Sequence, residues 1–386
     1  IYGDEAYKKA GTFPGAFETG ESFNHYESIF RSKMGEDILK VKDKKYVGDG
    51  TLLLTDEVIT PTPDDDVPFA KGGRAGFAGG GGLKRIVQEI VEYITTKFTP
   101  MDAMKEVNKV IGKTQSLSGI QHRHAGETCF VVGSGPSINE LDLTRLQGQA
   151  VMGVNGSFAV LAKHGVRPRH HTITDFDFFE NRHDLVSQVI ESKADCFFSS
   201  AGLRAIAERS PELLSRPQFY LTQVVNRLYG QARLSQSHFR RWAALQPDLI
   251  LPNTTREDDS RVGWSQDIRL GVFCSRTILF RALQIAAFLG YRRIHVLGMD
   301  LNYKGPQSRA YDEGANARPT KIERDFEPFI LPAFQVLQQV TQHQDLEIYN
   351  LSSKSRLPEE VMPRLSFDEA LASAPTCQAK AADKHQ

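Results

Sequence analysis

Residues 128–137 read TCFVVGSGPS, in which a short apolar, β-branched run stops at a turn of glycine, serine and proline. A helix-like stretch containing Leu141 and Leu146 follows this turn. A short run of this kind bounded by Gly133 is typical of a buried strand, and the turn breaks the strand. The segment therefore predicts a strand, a tight turn and a helix.

The same alternation recurs along the chain. Strand-like runs are AVMGVN (150–155), HHTITD (170–175), RRIHVLGMD (292–300) and LEIYNLS (346–352), and helix-like runs are SFAVLAKHG (157–165) and residues 277–289. Strands rich in valine and isoleucine that alternate with helices predict an α/β fold with a doubly wound, mostly parallel, Rossmann-like sheet. Ligands of such sheets bind beyond the carboxyl ends of the strands. We expect the functional residues at that edge.

The composition changes along the chain and predicts four segments. Residues 1–82 lack regular apolar periodicity, and seven of the twelve residues 71–82 are glycine, so we expect a poorly ordered or loosely docked segment with a glycine-rich linker. Residues 83–120 carry apolar residues at helical spacing, which predicts short helices. Residues 121–370 form the predicted Rossmann-like nucleotide-binding catalytic domain, and residues 371–386 a disordered tail.

Composition also excludes several functional classes. The 47 basic and 47 acidic residues cancel, so no whole-protein field draws the chain to nucleic acid. No stretch approaches about 18 uninterrupted apolar residues, so no transmembrane segment is expected. The four cysteines form no CxxC pair, which argues against a structural zinc site and a disulfide scaffold. We expect a cytoplasmic protein, with the inner face of the membrane as an alternative location, and the oligomeric state stays open.

The GSGPS turn is the first candidate binding site. Gly133 and Gly135 allow backbone N–H groups to approach a phosphate, and Ser137 is able to cap the helix or donate its hydroxyl. Ile138 stands where a third glycine would complete the GxGxxG motif, so a nicotinamide cofactor is not expected. A purely structural Gly/Pro turn is the alternative. Because the turn follows a buried strand and opens a helix, we favour a nucleotide site.

Polar side chains also follow the second and third predicted strands. Asn155 carries an amide with donor and acceptor atoms that suit a base or a sugar hydroxyl, although a turn residue before a glycine is the alternative. Asp175 and Asp177 stand at i and i+2 and face the same side of an extended chain. They are suited to hold a divalent cation or to orient sugar hydroxyls, whereas helix capping explains one of them.

Histidines and a third carboxylate lie near the same edge. Adjacent His170 and His171 point to opposite faces of a strand, so at most one of them is expected to be functional. Asp300 follows the fourth predicted strand, and Tyr303 offers a phenolic donor to a phosphate.

A long loop follows Asp300. The segment 302–324, NYKGPQSRAYDEGANARPTKIER, contains glycine, proline and serine and predicts a lid near the strand ends. Basic residues in or near it are Arg276, Arg309, Arg318, Lys321 and Arg324. They suit an anionic substrate, with a solvated basic surface as the alternative.

The stretches FVVGSGPSINELDLTRL, GVNGSF, TILFRALQIAAFLGYRRIHVLGMDLNY and IYNLS, in this order over roughly residues 127–370, resemble the bacterial sialyltransferases of glycosyltransferase family 42. Equally, they resemble the 6-hydroxymethylpterin diphosphokinase-like family. The first resemblance implies a metal-independent, inverting transfer from a cytidine monophosphate sugar, on one nucleotide-binding domain with a flexible lid.

Site residues follow from the sialyltransferase resemblance. It implies that Ser134, Gly135 and Ser137 contact the donor phosphate region, that Asn155 contacts the donor, and that Thr277 with its neighbours contacts the ribose. It also implies that Tyr303 and Tyr311 lie near the leaving phosphate. The expected nucleotide and donor contacts are therefore Gly133, Ser134, Gly135, Pro136, Ser137, Asn155, Thr277, Tyr303 and Tyr311.

The general base departs from the pattern of that family. Family 42 enzymes carry asparagine at the position of Ser134 and a histidine base in the loop after the strand that ends at Asp300, whereas this chain has no histidine between His295 and His343. Carboxylates at strand ends are the remaining candidates. The predicted catalytic residues are Asp175 and Asp177 first, Asp300 second and His171 third.

The diphosphokinase-like resemblance implies a different reaction. It implies transfer of a diphosphate from ATP to a pterin alcohol, with Mg²⁺ held by strand-end carboxylates, for which Asp175 and Asp177 are the candidate ligands. The leading prediction is a glycosyltransferase that uses a nucleotide-activated sugar, with a glycan or small-molecule acceptor and no required cofactor, in bacterial surface-glycan assembly. The Mg²⁺-dependent diphosphokinase and a non-catalytic nucleotide-binding module are the alternatives.

Overall fold

The computed structural model describes residues 108–216, 218–229, 234–253, 260–302, 309–311 and 320–374. The chain divides into two compact units, one formed by Ile1–Lys109 with Leu228–Ser235 and the other by Val110–Arg227 with Gln236–Gln386. The features described below belong to the second unit. The predictions for residues 1–82, for residues 83–107 and for the tail from residue 375 lie outside the described residues.

A parallel sheet of seven strands forms the centre of the described region. Its strands are β1 (Thr128–Val132), β2 (Val151–Val154), β3 (His170–Ile173), β4 (Asp195–Phe198), β5 (Phe219–Leu221), β8 (Arg293–Leu297) and β9 (Glu347–Asn350), and a separate antiparallel pair is β6 (Leu249–Ile250) with β7 (Trp264–Ser265). The strand order is β5-β4-β3-β2-β1-β8-β9, and every pair in this sheet is parallel. The predicted doubly wound α/β fold is therefore confirmed.

The strand order fixes where a ligand is expected. From β1 the chain winds outward to β5 at one edge, and then returns to place β8 and β9 on the other side of β1. The winding direction therefore reverses between β1 and β8, which leaves a crevice beyond the carboxyl ends of these two strands. The GSGPS turn follows β1, and Gly298 to Asp300 follow β8.

Helices connect the strands and cover the sheet. They are α1 (Ser157–Lys163), α2 (Phe176–Asn181), α3 (His183–Glu191), α4 (Ser200–Arg209), α5 (Gln236–Ala243), α6 (Ile278–Phe288), α7 (Ile322–Asp325), a π-helical turn (Phe326–Ile330), α8 (Leu331–His343) and α9 (Phe367–Ala372). Helix α6 packs against β1, β2 and β3, and its apolar sequence reflects burial along almost its whole length. None of the described helices has the length and hydrophobicity needed to cross a membrane.

One sequence expectation needs correction, and two strands of the sheet were not predicted. The stretch after the GSGPS turn is not an α-helix but two separate 3-10 turns, Pro136–Glu140 and Leu143–Leu146. Asp142 caps the second turn by accepting a hydrogen bond from the Thr144 backbone N–H. The chain therefore begins a new 3-10 turn at Leu143 and does not continue the first one. Strands β4 and β5 were not predicted, because runs of three or four apolar residues carry no period that separates strand from helix.

Candidate active site

The GSGPS turn packs directly onto the end of β8. The Gly133 N–H donates to the Leu297 carbonyl at 2.8 Å, and the Gly135 N–H donates to the Gly298 carbonyl at 2.9 Å. A Cβ atom at Gly135 would lie 2.6 Å from the Gly298 oxygen, so only glycine allows this approach. The N–H groups of Gly133 and Gly135 are thus not available to a phosphate, while a phosphate contact by other atoms of the turn stays a prediction. The sheet already uses both donors, and the glycines serve the contact between two strand ends.

Asp300 fixes the same turn from the other side. Its carboxylate accepts a hydrogen bond from the Ser137 N–H at 2.9 Å and a second one from the Ser137 hydroxyl. Both residues are buried, and Pro136 begins the 3-10 turn that presents these donors. Asp300 thus connects the end of β8 to the turn. Both hydrogen-bond donors of Ser137 are used in this contact. A catalytic role for Asp300 stays a prediction.

Ser134 and Pro136 are the partly exposed residues of this turn. Ser134 is half-buried between two buried glycines, and it is the one of these two residues with a side-chain hydroxyl. Its carbonyl accepts a hydrogen bond of 2.8 Å from the Ala310 N–H, which brings the described part of the predicted lid onto the turn. Within the described ranges, no hydrogen bond joins the Ser134 hydroxyl to another residue. Contact of this hydroxyl with the donor stays a prediction.

Asn155 lies at the end of β2 in a left-handed conformation, with φ of 42°. Asparagine tolerates this region of backbone space better than most residues do. Its carbonyl accepts a hydrogen bond from His171 Nε2 at 2.9 Å. Its Oδ1 atom is buried and has no hydrogen-bond partner among the described residues. A buried acceptor without a partner is costly, so Asn155 has the character of a ligand-binding residue.

His171 supports Asn155 from inside the sheet. It is fully buried on β3, and burial lowers its pKa to about 4, so the ring is neutral at physiological pH. Its Nδ1 faces the β2 backbone, since a Cβ atom at Gly153 would lie 2.4 Å from it. This location is suited to positioning Asn155 and not to contacting an acceptor. The neighbouring His170 points the other way, as predicted, and contacts the Tyr291 hydroxyl and Asp195.

The acidic pair has a different geometry from the predicted one. Asp175 is the N-cap of α2, where its carboxylate accepts a hydrogen bond of 3.0 Å from the Asp177 N–H, and Asp177 lies in the first helical turn. Asp175 itself has an extended backbone but Asp177 is helical, so the two carboxylates do not share one face of an extended chain. Capping nonetheless explains only Asp175. Asp175 is exposed and Asp177 half-buried at the carboxyl edge of the sheet, and the role of each as a base stays a prediction.

Tyr311 lies over the turn that follows Asn155. A Cβ atom at Gly156 would lie 2.1 Å from Tyr311 Cζ, so the ring rests on the glycine backbone. The Arg182 guanidinium lies 5.5 Å from the centre of the same ring, in a cation–π contact that the sequence did not indicate. Residues 309–311 therefore join the Ser134 and Asn155 turns. Tyr303, Arg318 and most of the predicted lid lie outside the described residues.

Thr277 begins α6 at the same edge of the sheet. It is the N-cap of this helix, but its side chain makes no capping hydrogen bond. Two buried arginines lie near this helix start: Arg261, whose carbonyl accepts a hydrogen bond from the Ser275 N–H, and Arg281, which lies near the beginning of α6. Neither arginine is among the site residues predicted from the sequence. A signal for Arg281 was present, because it interrupts the apolar run ILFRALQ.

No group of three or more histidine, cysteine, aspartate or glutamate side chains lies close enough to hold a metal ion in the part of the chain that the structure describes. The Mg²⁺ requirement of the diphosphokinase alternative rested on Asp175 and Asp177. Of these two, Asp175 already serves as a helix cap.

Comparison with known proteins gives a family and two curated relatives. The family model described as 3-deoxy-D-manno-octulosonic acid transferase WaaZ matches residues 111–368. A probable 3-deoxy-manno-octulosonic acid transferase of Escherichia coli strain K12 is 27% identical over 242 residues, which cover 61% of this chain and 81% of the relative. A protein of the same description from Salmonella typhimurium strain LT2 is 25% identical over 253 residues, which cover 64% and 90% of the two chains.

Two solved glycosyltransferase structures align with part of this chain. A MAf glycosyltransferase from Magnetospirillum magneticum AMB-1 aligns with a TM-score of 0.39 and 17% identity over 80% of this chain, which spans 45% of that enzyme. The sialyltransferase CstII from Campylobacter jejuni, in complex with cytidine-5'-monophosphate, aligns with a TM-score of 0.35 and 13% identity. That alignment covers 62% of this chain and 85% of the sialyltransferase.

Proposed function

Because the chain belongs to the 3-deoxy-D-manno-octulosonic acid transferase WaaZ family, we propose that it transfers a 3-deoxy-octulosonic acid residue from a nucleoside monophosphate donor to a hydroxyl of a surface glycan. The family match spans most of the described region, including every strand of the sheet and all the described site residues. The chain is a glycosyltransferase of surface-glycan biosynthesis. The donor, the acceptor and the residue roles below are the proposal.

The chemistry of the sugar favours a cytidine monophosphate donor. A 3-deoxy-octulosonic acid is a 2-keto acid, so its anomeric carbon carries a carboxylate and its neighbouring carbon lacks a hydroxyl. Sialic acid belongs to the same chemical class, and the sequence resembles enzymes that take it from cytidine monophosphate. A donor of this type carries a nucleoside, a phosphodiester and a carboxylate. We expect the enzyme to act on the cytoplasmic side of the inner membrane, where nucleotide-activated sugars are available.

The unpartnered amide oxygen of Asn155 is the observation that carries the nucleotide part of this proposal. An acceptor that is buried and unpaired in the described region gains a hydrogen bond when a base or a sugar hydroxyl reaches it. Ser134 and Tyr311 lie at the same edge of the sheet as Asn155. The Ala310 N–H, which is next to Tyr311 in sequence, donates a hydrogen bond to the Ser134 carbonyl. These three side chains form the proposed nucleotide site.

The transfer itself is a single displacement. An acceptor hydroxyl attacks the anomeric carbon, the bond from that carbon to the phosphate oxygen breaks, and cytidine monophosphate leaves with the electron pair. The hydroxyl proton goes to a general base. Asp175 and Asp177 are the exposed and half-buried carboxylates at the correct edge of the sheet, and we assign the base to this pair. The mechanism uses no metal ion.

Isothermal titration with cytidine monophosphate tests the site. Asn155→Gly keeps the left-handed backbone and removes the amide, so we expect at least a tenfold weaker affinity than in the wild-type chain. Asn226→Gly is the matched control, because Asn226 also has a positive φ, of 65°, but follows β5 at the sheet edge. Equal affinity in the wild-type and Asn155→Gly proteins would remove Asn155 from the site. If the wild-type chain gives heat of binding with ATP and Mg²⁺ but not with cytidine monophosphate, the diphosphokinase alternative is favoured.

A further inference from the structure

Arg182 occupies the corner between helices α2 and α3. Helix α2 follows β3, and α3 returns the chain to the start of β4, so this corner lies toward the carboxyl edge of the sheet. The Arg182 N–H donates to the Phe178 carbonyl at 2.9 Å, and the Arg182 carbonyl accepts from the Val186 N–H at 3.0 Å. Phe178 and Val186 belong to the buried core. The two helices therefore fix the backbone from which the Arg182 side chain extends.

The guanidinium of Arg182 lies over Tyr311. It is 5.5 Å from the centre of the ring, and the arginine side chain is 19% exposed. The hydroxyl end of the same ring lies against Gly156, where a Cβ atom would be 2.2 Å from the Tyr311 oxygen. Gly156 directly follows Asn155. Arg182 therefore reaches the proposed nucleotide site from the connection after β3, whereas Ser134 and Asn155 belong to the connections after β1 and β2.

The ion pair of Arg182 is a weak one. Its closest approach to Asp184 is 3.7 Å, between Nε and Oδ1, which is longer than a hydrogen bond. Asp184 is 65% exposed, so water and salt screen the attraction. The arginine side chain, in contrast, is mostly buried and has lost part of its hydration. An anion at this site gains charge-assisted hydrogen bonds without first breaking a strong ion pair.

The proposed transfer creates negative charge on the phosphate. The donor is a phosphodiester with one negative charge, whereas the cytidine monophosphate that leaves is a monoester with a charge of about −1.5 to −2 at neutral pH. The electron pair of the broken carbon–oxygen bond stays on the phosphate oxygen. A cation beside the phosphate therefore stabilises the transition state more than the ground state, which raises kcat. Arginine suits this role, because it stays charged and donates paired hydrogen bonds to phosphate.

We propose that Arg182 binds the phosphate of the donor and stabilises the charge that develops on it as cytidine monophosphate leaves. This inference rests on the proposed function, because it names the residue that compensates the charge of the leaving group. The guanidinium donates N–H hydrogen bonds to the non-bridging phosphate oxygens and transfers no proton. Tyr311 is a positioning residue in this account, since its ring holds the guanidinium beside the Asn155 turn.

Isothermal titration with cytidine monophosphate and with cytidine tests the phosphate contact. Arg182→Met keeps an unbranched apolar stem and removes the charge, so the ratio of the two affinities should fall at least about tenfold. Arg182→Lys keeps a charge without the fork, and its ratio should lie between those of wild type and Arg182→Met.

Arg145→Met is the matched control for this titration. The Arg145 guanidinium also lies over an aromatic ring, 5.4 Å from the centre of Phe367, and it pairs with exposed Asp368. Arg145 belongs to the 3-10 turn Leu143–Leu146 that leads into β2, so it is not part of the proposed site. The affinity ratio of Arg145→Met should equal that of wild type.

Turnover of the cytidine monophosphate-activated sugar acid separates a catalytic role from a structural one. Arg182→Met should lower kcat at least about tenfold, because the contact strengthens as charge develops on the phosphate. Its Tm should stay within about 2 °C of wild type, since the ion pair that it removes is weak and screened.

Several results would overturn the assignment. A wild-type affinity ratio in Arg182→Met would mean that Arg182 does not contact the phosphate, and a higher donor KM in that case would place it on the sugar carboxylate instead. An unchanged kcat would mean that it does not act on the leaving group. Equal loss of cytidine and cytidine monophosphate affinity, with a Tm at least about 5 °C lower, would show a structural role. If the wild-type chain neither binds cytidine monophosphate nor transfers the sugar, the proposed function itself fails, and this inference with it.

Discussion

The Asp300 carboxylate accepts hydrogen bonds from both the backbone N–H and the hydroxyl of Ser137, a residue 163 positions earlier in the chain. This contact joins the turn after β1 to the end of β8, across the crevice where the winding of the sheet reverses. The Gly135 N–H adds a third hydrogen bond, to the Gly298 carbonyl. These three hydrogen bonds hold the turn against the end of β8, while Ser134 and Pro136 stay partly exposed.

Asp300→Asn is expected to destabilise the fold by about 1–3 kcal/mol, because the amide loses one acceptor and turns an N–H group toward a Ser137 donor. The free energy of unfolding in urea measures this change. Ser134→Ala is the control, since that hydroxyl bonds to no other described residue, and it should leave stability unchanged while weakening nucleotide affinity. Unchanged stability of Asp300→Asn with activity lost a hundredfold would instead favour Asp300 as the base.

Gly135→Ala is expected to destabilise the chain by roughly 1–3 kcal/mol, because the added methyl group would lie 2.6 Å from a backbone oxygen that cannot move aside freely. Gly119→Ala is the matched control, since a Cβ atom there would meet nothing within 4 Å. Urea midpoints of the two variants measure the difference. Equal midpoints would mean that the glycine is not needed for the contact with β8.

Asp175→Asn and Asp177→Asn test the assigned general base. Asparagine is also a good N-cap, so Asp175→Asn keeps the start of α2 and should leave the Tm unchanged. If one of the pair is the base, the corresponding variant turns over about a hundredfold more slowly, with cytidine monophosphate affinity unchanged. Asp175→Ala controls for the cap, since it should also lower stability by about 1 kcal/mol. Wild-type turnover in both asparagine variants would show that the pair is structural.

Acid should destabilise the folded chain through its buried histidines. Burial lowers the pKa values of His170, His171 and His295 to about 4. Unfolded histidine titrates near pH 6.5, so between these values the unfolded state binds more protons than the folded state does. Their stabilisation is thus complete above about pH 6.5 and is lost as the pH falls toward 4, at about 1.4 kcal/mol per pH unit for each histidine. Urea unfolding at pH 7, 6 and 5 measures this slope.

His295→Phe isolates one of these contributions. The imidazole packs between Phe130 and Tyr349, and neither of its nitrogens has a hydrogen-bond partner among the described residues. Phenylalanine fills the same space without unpaired polar atoms, so stability at pH 7 should be equal or higher. The pH slope should become shallower by about 1.4 kcal/mol per pH unit. An unchanged slope would mean that His295 has the same pKa in the folded and in the unfolded chain, which contradicts the effect of burial.

The sequence predicted what depends on local pattern. The five predicted strands and helices α1 and α6 are present, because β-branched runs and helical periodicity are properties of adjacent residues. The fate of the Gly133 and Gly135 donors was not predictable, since it depends on carbonyls of β8 more than 160 residues away. Helix capping by one aspartate of the pair was the alternative, and the structure assigns it to Asp175, but an N-cap and a strand end look alike in sequence, so the sequence could not choose between them. Arg281 could have been identified from the sequence, because a charged residue within an apolar helix is unusual.

Transfer of the sugar acid tests the account most directly. The purified chain is incubated with cytidine monophosphate-activated 3-deoxy-octulosonic acid and a surface-glycan acceptor, with and without EDTA, and the products are analysed by mass spectrometry. The account predicts one cytidine monophosphate released for each acceptor that gains one sugar-acid residue, at the same rate in EDTA. Release of nucleotide without a heavier acceptor, or activity that appears only with ATP and Mg²⁺, would contradict it.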